Sequence, residues 1–366
     1  MNAPPHDPAH APDGARAPRG PQDPRGEWGR AQTVAAAGLA IALLFTLAAL
    51  AMTVGPGEFG LGQVLRLLAA KLVGAGVGRP VQAILWELRL PRIALSLLIG
   101  AALGCAGALT QGLFRNPLAS PGVLGISTGA VAFVIVGFAF GLDEQSLWAT
   151  PLLAGAGALA MLGLLFGLTA RRRDLAYLLL TGVALNALVG AISTLVLAAF
   201  LDRPALAQKA LTWMMGSFDG RGFRHLGWAA GPLIVGMLAA WALHRPLDTL
   251  ILGEDTAESL GIARGRLRLF AALAVGLLVG TSTAIVGVIG FVGLIVPHLA
   301  RSLPGVAGLG HARLIPASML VGAALMLGVD TLGRALNPMF LAPGALTSLL
   351  GGVFFLWLLR GQTRDD

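Results

Sequence analysis

Ionisable residues are few within the apolar parts of this sequence. The clearest is Asp330, which stands four positions before Arg334 in an apolar stretch. Residues at i and i+4 share one side of a helix, so this spacing predicts an ion pair. A proton-coupled carrier usually keeps a carboxylate or histidine deep within the membrane as its proton site. A paired Asp330 near a helix end is poorly suited to that chemistry.

The sequence contains no motif for nucleotide hydrolysis or for metal binding. A phosphate-binding P-loop needs G-x-x-x-x-G-K-[ST], but Lys71 is followed by Leu72 and Lys209 by Ala210. None of the six histidines lies in an H-E-x-x-H motif, and Cys105 is the only cysteine. We therefore expect no catalytic residue, no metal site and no cofactor in this chain itself.

One polar turn interrupts the apolar sequence. It reads "RNPLASPG" (115–122), with Asn116 before Pro117 and Ser120 before Pro121. Proline breaks a helix and disfavours helical backbone at the preceding residue, so this segment is predicted to be non-helical. Non-helical backbone near a membrane needs water or protein partners. The residues fit either a plain turn between two spans or an irregular segment that lines or closes a polar pathway.

A longer polar segment, "HRPLDTLILGEDTAESLGIARGRLR", follows later in the chain. Its centre (253–261) is predicted to form a short helix that Asp255 or Thr256 can cap. Leu252 and Leu260 would then lie on one side of this helix. The segment is either a charged loop in solvent or a compact knob on which a cytoplasmic partner docks.

The composition places these segments in a membrane protein. Hydrophobic residues make up 56% of the chain and charged residues 12%, with a mean hydropathy of +0.78, whereas soluble domains carry about 25% charged residues. A bilayer requires backbone groups to be paired within the chain, so an all-α polytopic fold is predicted. The net charge of +8 comes mostly from arginines between apolar runs. This pattern favours the lipid bilayer, and not nucleic acid, as the partner.

The chain is predicted to have three parts. These are a disordered N-terminal tail (1–30), a membrane domain (31–360) and a short C-terminal tail (361–366). About 20 apolar residues cross the hydrocarbon core. On this measure the ten predicted spans are 32–54, 92–114, 122–141, 149–170, 176–200, 226–244, 269–289, 291–303, 313–332 and 344–360.

The seventh and eighth spans come from a single apolar run, residues 269–300. One helix of that length would extend about 48 Å, against roughly 30 Å of hydrocarbon. The run must therefore fold back, and Gly287, Gly290, Gly293 and Pro297 offer the break. Because two full legs need about 40 residues, one leg should be short or irregular.

The basic residues set the predicted orientation. With the amino terminus in the cytoplasm, sixteen of the 26 basic residues fall in cytoplasmic segments, among them the arginine run 171–173. Positive charge favours the cytoplasmic side of a membrane. Both termini are therefore predicted to be cytoplasmic.

Glycine is frequent, with 51 residues in the chain. Many are spaced as small-xxx-small, for instance Gly100 with Gly104 and Gly163 with Gly167. Small residues let helix backbones approach closely where no hydrophobic force acts between helices. A tightly packed bundle is predicted.

Six motifs, in order and at suitable spacing, resemble one family of transporters. Residues 35–359 look like the FecCD-type permease subunit of binding-protein-dependent ABC importers for ferric siderophores, haem and cobalamin. The resemblance implies a type II ABC importer permease with about ten transmembrane helices per subunit. The motifs are "LRLPRIALSLLIGAALGCAGALTQGLFRNPLASPGVLGISTGA" (88–130), "LLLTGVALN" (178–186), "WMMGSF" (213–218), "LILGEDTAESLGI" (250–262), "GVIGFVGLIVPHLAR" (287–301) and "VDTLGRAL" (329–336).

The resemblance also implies an assembly in the bacterial inner membrane. Family permeases form a homodimer with the translocation path along its axis. Two cytoplasmic ATPase subunits, which bind ATP and Mg, drive the helices, and a periplasmic or extracellular solute-binding protein delivers the cargo. The chain itself would then be a transport subunit and not an enzyme.

The family's functional residues carry over to positions of this sequence. Asn116, Pro117 and Leu118 match the cytoplasmic gate, where a broken helix lets the pathway close and reopen. The element that couples the permease to a cleft of the ATPase matches Leu252, Gly253, Glu254, Asp255, Ala257, Glu258, Leu260 and Gly261, within a loop at about 245–268.

Three arginines match residues that bind glutamates on the two lobes of the solute-binding protein. They are Arg89, Arg92 and Arg334. Arginine suits this role because its planar guanidinium group can bind a carboxylate through two parallel hydrogen bonds. From the residues alone, they could equally be outer-surface charges, with Arg334 serving as the partner of Asp330.

The region before the last helix departs from the family pattern. The family usually shows an acidic residue, then Leu-Pro-x-Gly, and later Gly-x-Pro-x-Phe, whereas this chain reads "FLAPGALTSLLGGVFF" (340–355). Pro343 adjoins Gly344, and Val353 stands where proline is common. The departure affects the expected shape of the outer mouth and leaves the expected fold unchanged.

Three functions follow from these observations. The first is import of a ferric siderophore, driven by a separate ATPase. Cobalamin or haem is the alternative cargo, because the motifs do not separate these solutes. A proton-coupled carrier is the alternative from another class, and its uptake would survive ATP depletion.

Overall fold

The computed structural model describes residues 30–55, 59–72, 83–146, 148–169, 175–200, 202–306, 308, 310–336 and 341–362. The two predicted tails lie almost entirely outside these residues, and the arginine run 171–173 lies outside them as well.

All regular structure in the described residues is helical, as predicted. A π-helical turn, Ala83–Arg89, runs directly into the third α-helix, and two 3-10 turns, Pro121–Leu124 and Leu142–Glu144, flank the fourth. The α-helices are α1 Arg30–Thr53, α2 Leu61–Leu72, α3 Leu90–Phe114, α4 Ile126–Ala139, α5 Ala149–Thr169, α6 Leu175–Ala198, α7 Pro204–Met214, α8 Phe223–Ala242, α9 His244–Ile251, α10 Glu254–Ser259, α11 Arg264–Val286, α12 Val292–Arg301, α13 His311–Leu336 and α14 Pro343–Gln362.

Six helices in the described part of the chain are long and apolar enough to cross a membrane. They are α3 with its preceding turn, α5, α6, α8, α11 and α13. Shorter apolar helices lie in α1, α4, α12 and α14. The ten predicted spans correspond to these ten helices, and the chain is a multi-pass membrane protein.

The apolar run of residues 269–300 folds back as predicted. α11 ends at Val286, and α12 has only 10 residues, about 15 Å of helix. The turn between them begins at Gly287, whose φ of 81° suits glycine. A Cβ there would also collide with the carbonyl oxygen of Trp213. α12 is therefore the short leg.

The predicted close packing of glycines holds for one pair and not for the other. A Cβ at Gly100 would collide with the carbonyl oxygen of Gly322 on α13, and Gly104 meets α13 just as closely. The α3 and α13 backbones therefore touch, as small residues allow. On α5, Cβ atoms at Gly163 and Gly167 would have no neighbour within 4 Å. For these two glycines the prediction is wrong within this chain, because the α5 face that carries them is left uncovered.

Candidate functional site

Ion pairs gather the polar residues at two ends of the helix bundle. At one end, called here the Asn116 end, Arg115 pairs with Glu254. At the other, called the Arg92 end, Arg92 pairs with Asp330. The pair predicted to be cytoplasmic and the pair predicted to face outward therefore lie at different ends of the bundle.

The segment predicted to be non-helical (115–122) is non-helical through Ser120, but its last two residues begin the 3-10 turn Pro121–Leu124. Residues 115–118 are called here the Asn116 turn. α3 ends at Phe114, and Arg115 has left-handed backbone with a φ of 48°. Its N–H donates to the carbonyl oxygen of Gly112 at 3.2 Å, which closes the helix. The Asn116 side chain accepts a hydrogen bond from the N–H of Leu118 at 2.8 Å. The chain therefore satisfies much of this turn's backbone through its own short-range hydrogen bonds.

The 3-10 turn that follows, Pro121–Leu124, is held against α6. A Cβ at Gly182 would collide with the carbonyl oxygen of Val123. The amide nitrogen of Asn186 donates to the carbonyl oxygen of Gly122 at 3.0 Å. The turn and α6 are therefore coupled in position.

The second polar segment folds as two short helices, α9 and α10, and is called here the Glu254 segment (residues 244–263). On it Ala257 is buried, whereas Leu252 and Leu260 are 66% and 62% exposed. α10 ends at Ser259, and Gly261, whose φ is 84°, turns the chain just after it. Two exposed leucines beside a short, firmly packed helix give an apolar surface on which another protein can dock.

The start of α10 differs from the prediction. The residue before the helix is Gly253, with a φ of 115° and no side-chain cap. Asp255 and Thr256 lie one and two residues inside the helix instead of capping it. The reason is that the chain reverses at Gly253, a conformation that glycine adopts without strain.

The acidic residues of α10 are paired within the chain. Glu254 lies 3.2 Å from Arg115, 3.0 Å from Arg264 and 3.5 Å from Arg268. Glu258 also contacts Arg264. These pairs were not predicted, because Arg115 is 139 positions away and belongs to a different helix end. Glu254 therefore joins the Asn116 turn to the start of α11.

A cavity of about 740 Å³ lies between the Asn116 turn and residues 301–306 and 310–314, and Ile251 of the Glu254 segment also lines it. On one wall, Arg301 donates to the side-chain oxygen of Gln111 at 2.5 Å. The cavity leaves room beside the Asn116 turn. Its lining includes Arg115, Asn116, Pro117, Ile251, Arg301 and His311.

At the Arg92 end, Asp330 is buried between two arginines. It lies 2.8 Å from Arg92 and 3.2 Å from Arg334. The pair with Arg334 confirms the predicted i, i+4 ion pair. The pair with Arg92 was not predicted, since it crosses from α13 to α3. Arg92 also contacts Asp219, whose side chain is 64% exposed.

Two of the predicted docking arginines hold the end of α1. Arg89 donates to the carbonyl oxygen of Gly55 at 3.1 Å, and Arg334 donates to that of Ala51 at 3.2 Å. The last carbonyls of a helix lack partners within it, so guanidinium donors stabilise this end. Arg89 is 4% and Arg334 9% exposed. These arginines are thus mostly buried, and only part of each reaches solvent.

A second cavity, of about 730 Å³, opens at the Arg92 end. Sequence reasoning missed Arg221, whose pKa is lowered by burial. Asp219 and Asp330 offset two of the charges, so the cavity keeps an excess of positive charge that attracts carboxylates. The arginine cluster that surrounds it consists of Arg89, Arg92, Arg221 and Arg334.

The departing segment at residues 340–355 forms a regular helix from Pro343 onward. Pro343 is the first residue of α14. A Cβ at Gly344 would collide with the carbonyl oxygens of Met215 and Val288, so glycine is needed there. Val353 lies within the helix and is 63% exposed. The helix therefore continues where the family often has proline, and residues 337–340 lie outside the described part.

Metal ligands do not cluster in the described residues. No group of three or more His, Cys, Asp or Glu within them could hold a metal ion. Cys105 is buried within α3.

The sequence matches known permeases over most of its length. The model of the FecCD transport family matches residues 41–361. The chain is 37% identical over 322 residues to the vitamin B12 import system permease protein BtuC of Klebsiella pneumoniae, which covers 88% of this chain and 90% of that one. It is also 37% identical over 298 residues to the Fe(3+)-citrate import system permease protein YfmE of Bacillus subtilis, covering 80% and 86%. Identity to the Fe(3+) dicitrate transport system permease protein FecD of Escherichia coli is 38% over 277 residues, covering 75% and 85%.

The fold also matches a solved structure. That chain is described as an inward-facing conformation of a metal-chelate type ABC transporter. The TM-score is 0.76 at 29% sequence identity, and the match covers 89% of this chain and 99% of the other.

Proposed function

The chain belongs to the FecCD transport family, and from this premise we propose that it is the membrane permease subunit of an ABC importer for a metal chelate. One observation carries the proposal. A broken helix end, the Asn116 turn, is joined by Arg115 and Glu254 to a protruding helix that exposes two leucines. A gate and a docking surface for an ATPase subunit would therefore lie next to each other.

Two separate ATPase subunits supply the energy in this proposal. Leu252 and Leu260 seat in a cleft of the ATPase, which binds the ATP and the Mg. When the ATPase pair closes on nucleotide, it displaces the Glu254 segment as a unit. The helices then rock between two arrangements, a rigid-body change of the kind that opens one side of a transporter and closes the other. The gate that opens and closes as the helices rock consists of Asn116, Pro117 and Leu118.

The translocation path lies between two copies of the chain. Within one copy, the α3 backbone touches α13 at Gly100 and α12 at Gly107, which leaves no room there for a chelate. α6 is the least buried of the six long spans, and it contacts the gate through Gly182 and Asn186. We therefore place the second copy opposite α6, so that the path runs beside the gate.

A solute-binding protein docks at the Arg92 end. The positive cavity there is large enough to admit acidic side chains of a partner. Such a carboxylate would pair with Arg92 in place of the exposed Asp219, or with the accessible part of Arg89 or Arg334. Because Arg89 and Arg334 also donate hydrogen bonds to the end of α1, docking of the binding protein would directly affect the position of that helix.

The cargo is an iron chelate of the ferric siderophore class. Relatives that carry the names of vitamin B12 and ferric citrate permeases are equally similar to the chain, so cobalamin is the second candidate and haem the third. A path between two subunits is selective mainly through the protein that delivers the cargo. We place the chain in a bacterial inner membrane, with the Asn116 end and both termini in the cytoplasm.

A proton-coupled carrier receives no support from the described residues. The buried carboxylate that such a carrier would use, Asp330, is neutralised by Arg92 and Arg334. Both of its carboxylate oxygens are paired with guanidinium groups.

Uptake into proteoliposomes tests the proposal. The chain is reconstituted with its ATPase and binding protein, and uptake of radiolabelled ferric citrate and cobalamin is measured. We expect uptake that requires ATP and continues when the proton gradient is collapsed. Uptake by the chain alone, or uptake that stops with a protonophore while ATP remains, would refute it.

A further inference from the structure

His311 lies where three elements of the Asn116 end meet. It is the first residue of α13, and its side chain is 5% exposed. The imidazole ring is enclosed between α9 of the Glu254 segment and the last turn of α3.

On one side, His311 is bound to Asp248 of α9. The carboxylate oxygen Oδ1 accepts the backbone N–H of His311 at 2.8 Å and lies 2.6 Å from the ring nitrogen Nδ1. Because an ionised carboxylate only accepts hydrogen bonds, Nδ1 is the donor. Gly310 permits this approach, since a Cβ there would collide with Asp248. Asp248 thereby fastens the start of α13 to the segment that leads into α10.

On the other side, the ring rests against Gly112 in the last turn of α3. A Cβ at Gly112 would collide with ring atoms Nε2 and Cδ2. Nε2 is buried and has no hydrogen-bond partner among the described residues, so this contact depends on shape and not on polar pairing. The carbonyl oxygen of Gly112 accepts the N–H of Arg115. The ring therefore rests on the same glycine whose carbonyl oxygen closes α3 before the Asn116 turn.

A second link joins the same two segments, the ion pair of Arg115 with Glu254. Its side chains are 39% and 24% exposed, and Asp248 in the first link is 35% exposed, so both ion pairs are partly screened by solvent. The His311 contact is buried and close-packed, and close-packed groups transmit a displacement instead of absorbing it. The neighbouring cavity of about 740 Å³ gives the turn space to move.

We propose that His311 is a positioning residue for transport, through which movement of the Glu254 segment reaches the Asn116 turn. This inference rests on the proposed function. Asp248 holds the ring against Gly112 in the arrangement described here. When an ATPase displaces α9, the ring is carried away from Gly112 and the last turn of α3 shifts into the space beside it. His311 itself contacts neither cargo nor nucleotide.

A distance measurement across the homodimer tests this coupling. Ser120→Cys, just beyond the turn, is labelled with a nitroxide in both copies of the complete complex with ATPase and binding protein. In this parent we expect the distance between the two labels to change when ATP binds. Cys105 is buried and is the only other cysteine.

In His311→Ala the complex should still hydrolyse ATP, but the ATP-dependent distance change should be lost. Uptake of ferric citrate or cobalamin per ATP hydrolysed should fall about tenfold, the size of a typical coupling free energy. His311→Asn is the second variant, because its amide nitrogen replaces Nδ1 as donor to Asp248 while the ring edge against Gly112 is missing. It should assemble like the parent and yet lose the distance change.

His225→Ala is the control. His225 lies in the first turn of α8, at the Arg92 end, and its Nδ1 accepts the N–H of Gly222 at 3.2 Å, so its loss should leave the distance change at the Asn116 turn intact. A normal distance change and normal uptake per ATP in His311→Asn would overturn the inference, even if His311→Ala fails to assemble. If the parent itself shows no ATP-dependent change or uptake, the proposed function fails as well, which distinguishes the two results.

Discussion

Asp330 is the residue on which the charge balance of the Arg92 end depends. Its side chain has no solvent exposure and lies between two guanidinium groups. Replacement by asparagine would leave Arg92 and Arg334 buried without their shared counter-charge. Removing one partner of a buried ionic group costs about 3–5 kcal/mol. We therefore expect Asp330→Asn to lower the unfolding temperature of the detergent-solubilised protein strongly.

Asp219→Asn provides the comparison for this prediction. Asp219 also binds Arg92, but its side chain is 64% exposed. An exposed pair contributes less than about 1 kcal/mol, so the unfolding temperature should change little. Equal effects of the two substitutions would mean that burial is not what makes Asp330 important.

The pairing of Asp330 also shows what the sequence reveals about side chains. The contact with Arg334 follows from helix periodicity and was predicted. The contact with Arg92 joins residues 238 positions apart, and no local pattern indicates which helices will be neighbours. For the same reason the arginines that surround Glu254 and the histidine that binds Asp248 could be found only in the fold.

Among the elements, the fold-back of α11 and α12 was predictable because membrane thickness limits helix length. The start of α10 was not, since glycine at a helix start leaves the same sequence pattern as glycine in a loop. The packing of glycines was half predictable. Spacing identifies Gly100 and Gly163 as equivalent, but only Gly100 has a partner helix in this chain.

If the proposed function is right, the Glu254 segment is the element in which coupling to the ATPase can be broken most directly. In the double variant Glu254→Lys, Glu258→Lys, lysines would face Arg115, Arg264 and Arg268, and like charges repel. α10 should be displaced from the end of α3 while the spans stay packed. We expect the homodimer and ATPase complex to assemble, and uptake per ATP hydrolysed to fall severalfold, because the moving segment no longer holds the turn.

Glu144→Lys serves as the control for that double variant, since Glu144 is an exposed glutamate beyond α4. It should leave uptake per ATP unchanged. Unaltered uptake in the double variant would contradict the coupling role of the segment.

For the whole molecule, composition predicts a membrane protein, and the lengths of the apolar runs predict its number of spans. In our proposal, the route of the solute depends on how two copies assemble. The described cavities lie at the two ends of the bundle, and the middle is filled by helices in backbone contact. A chelate cannot pass through such a middle without separating α3 from α13. In the proposed arrangement the path forms only between two copies, and the sequence of one chain carries no signal for such a path.

Disulfide cross-linking across the homodimer tests this arrangement. Leu180, Leu188 and Leu195 are exposed along α6, the helix that contacts the gate, and each is replaced singly by cysteine. If α6 faces the second copy, at least one of these variants should form a covalent dimer on oxidation in membranes. Cys105 is buried and should not react.

Leu152→Cys and Leu159→Cys on α5 are the controls, because these leucines are similarly exposed but lie on a helix that our arrangement does not place opposite the second copy. They should remain monomeric on oxidation. Covalent dimers through α5 and none through α6 would reverse the assignment. The solute path would then have to be sought beside α5 instead of α6, and the assignment of the Asn116 turn as the gate would fall with it.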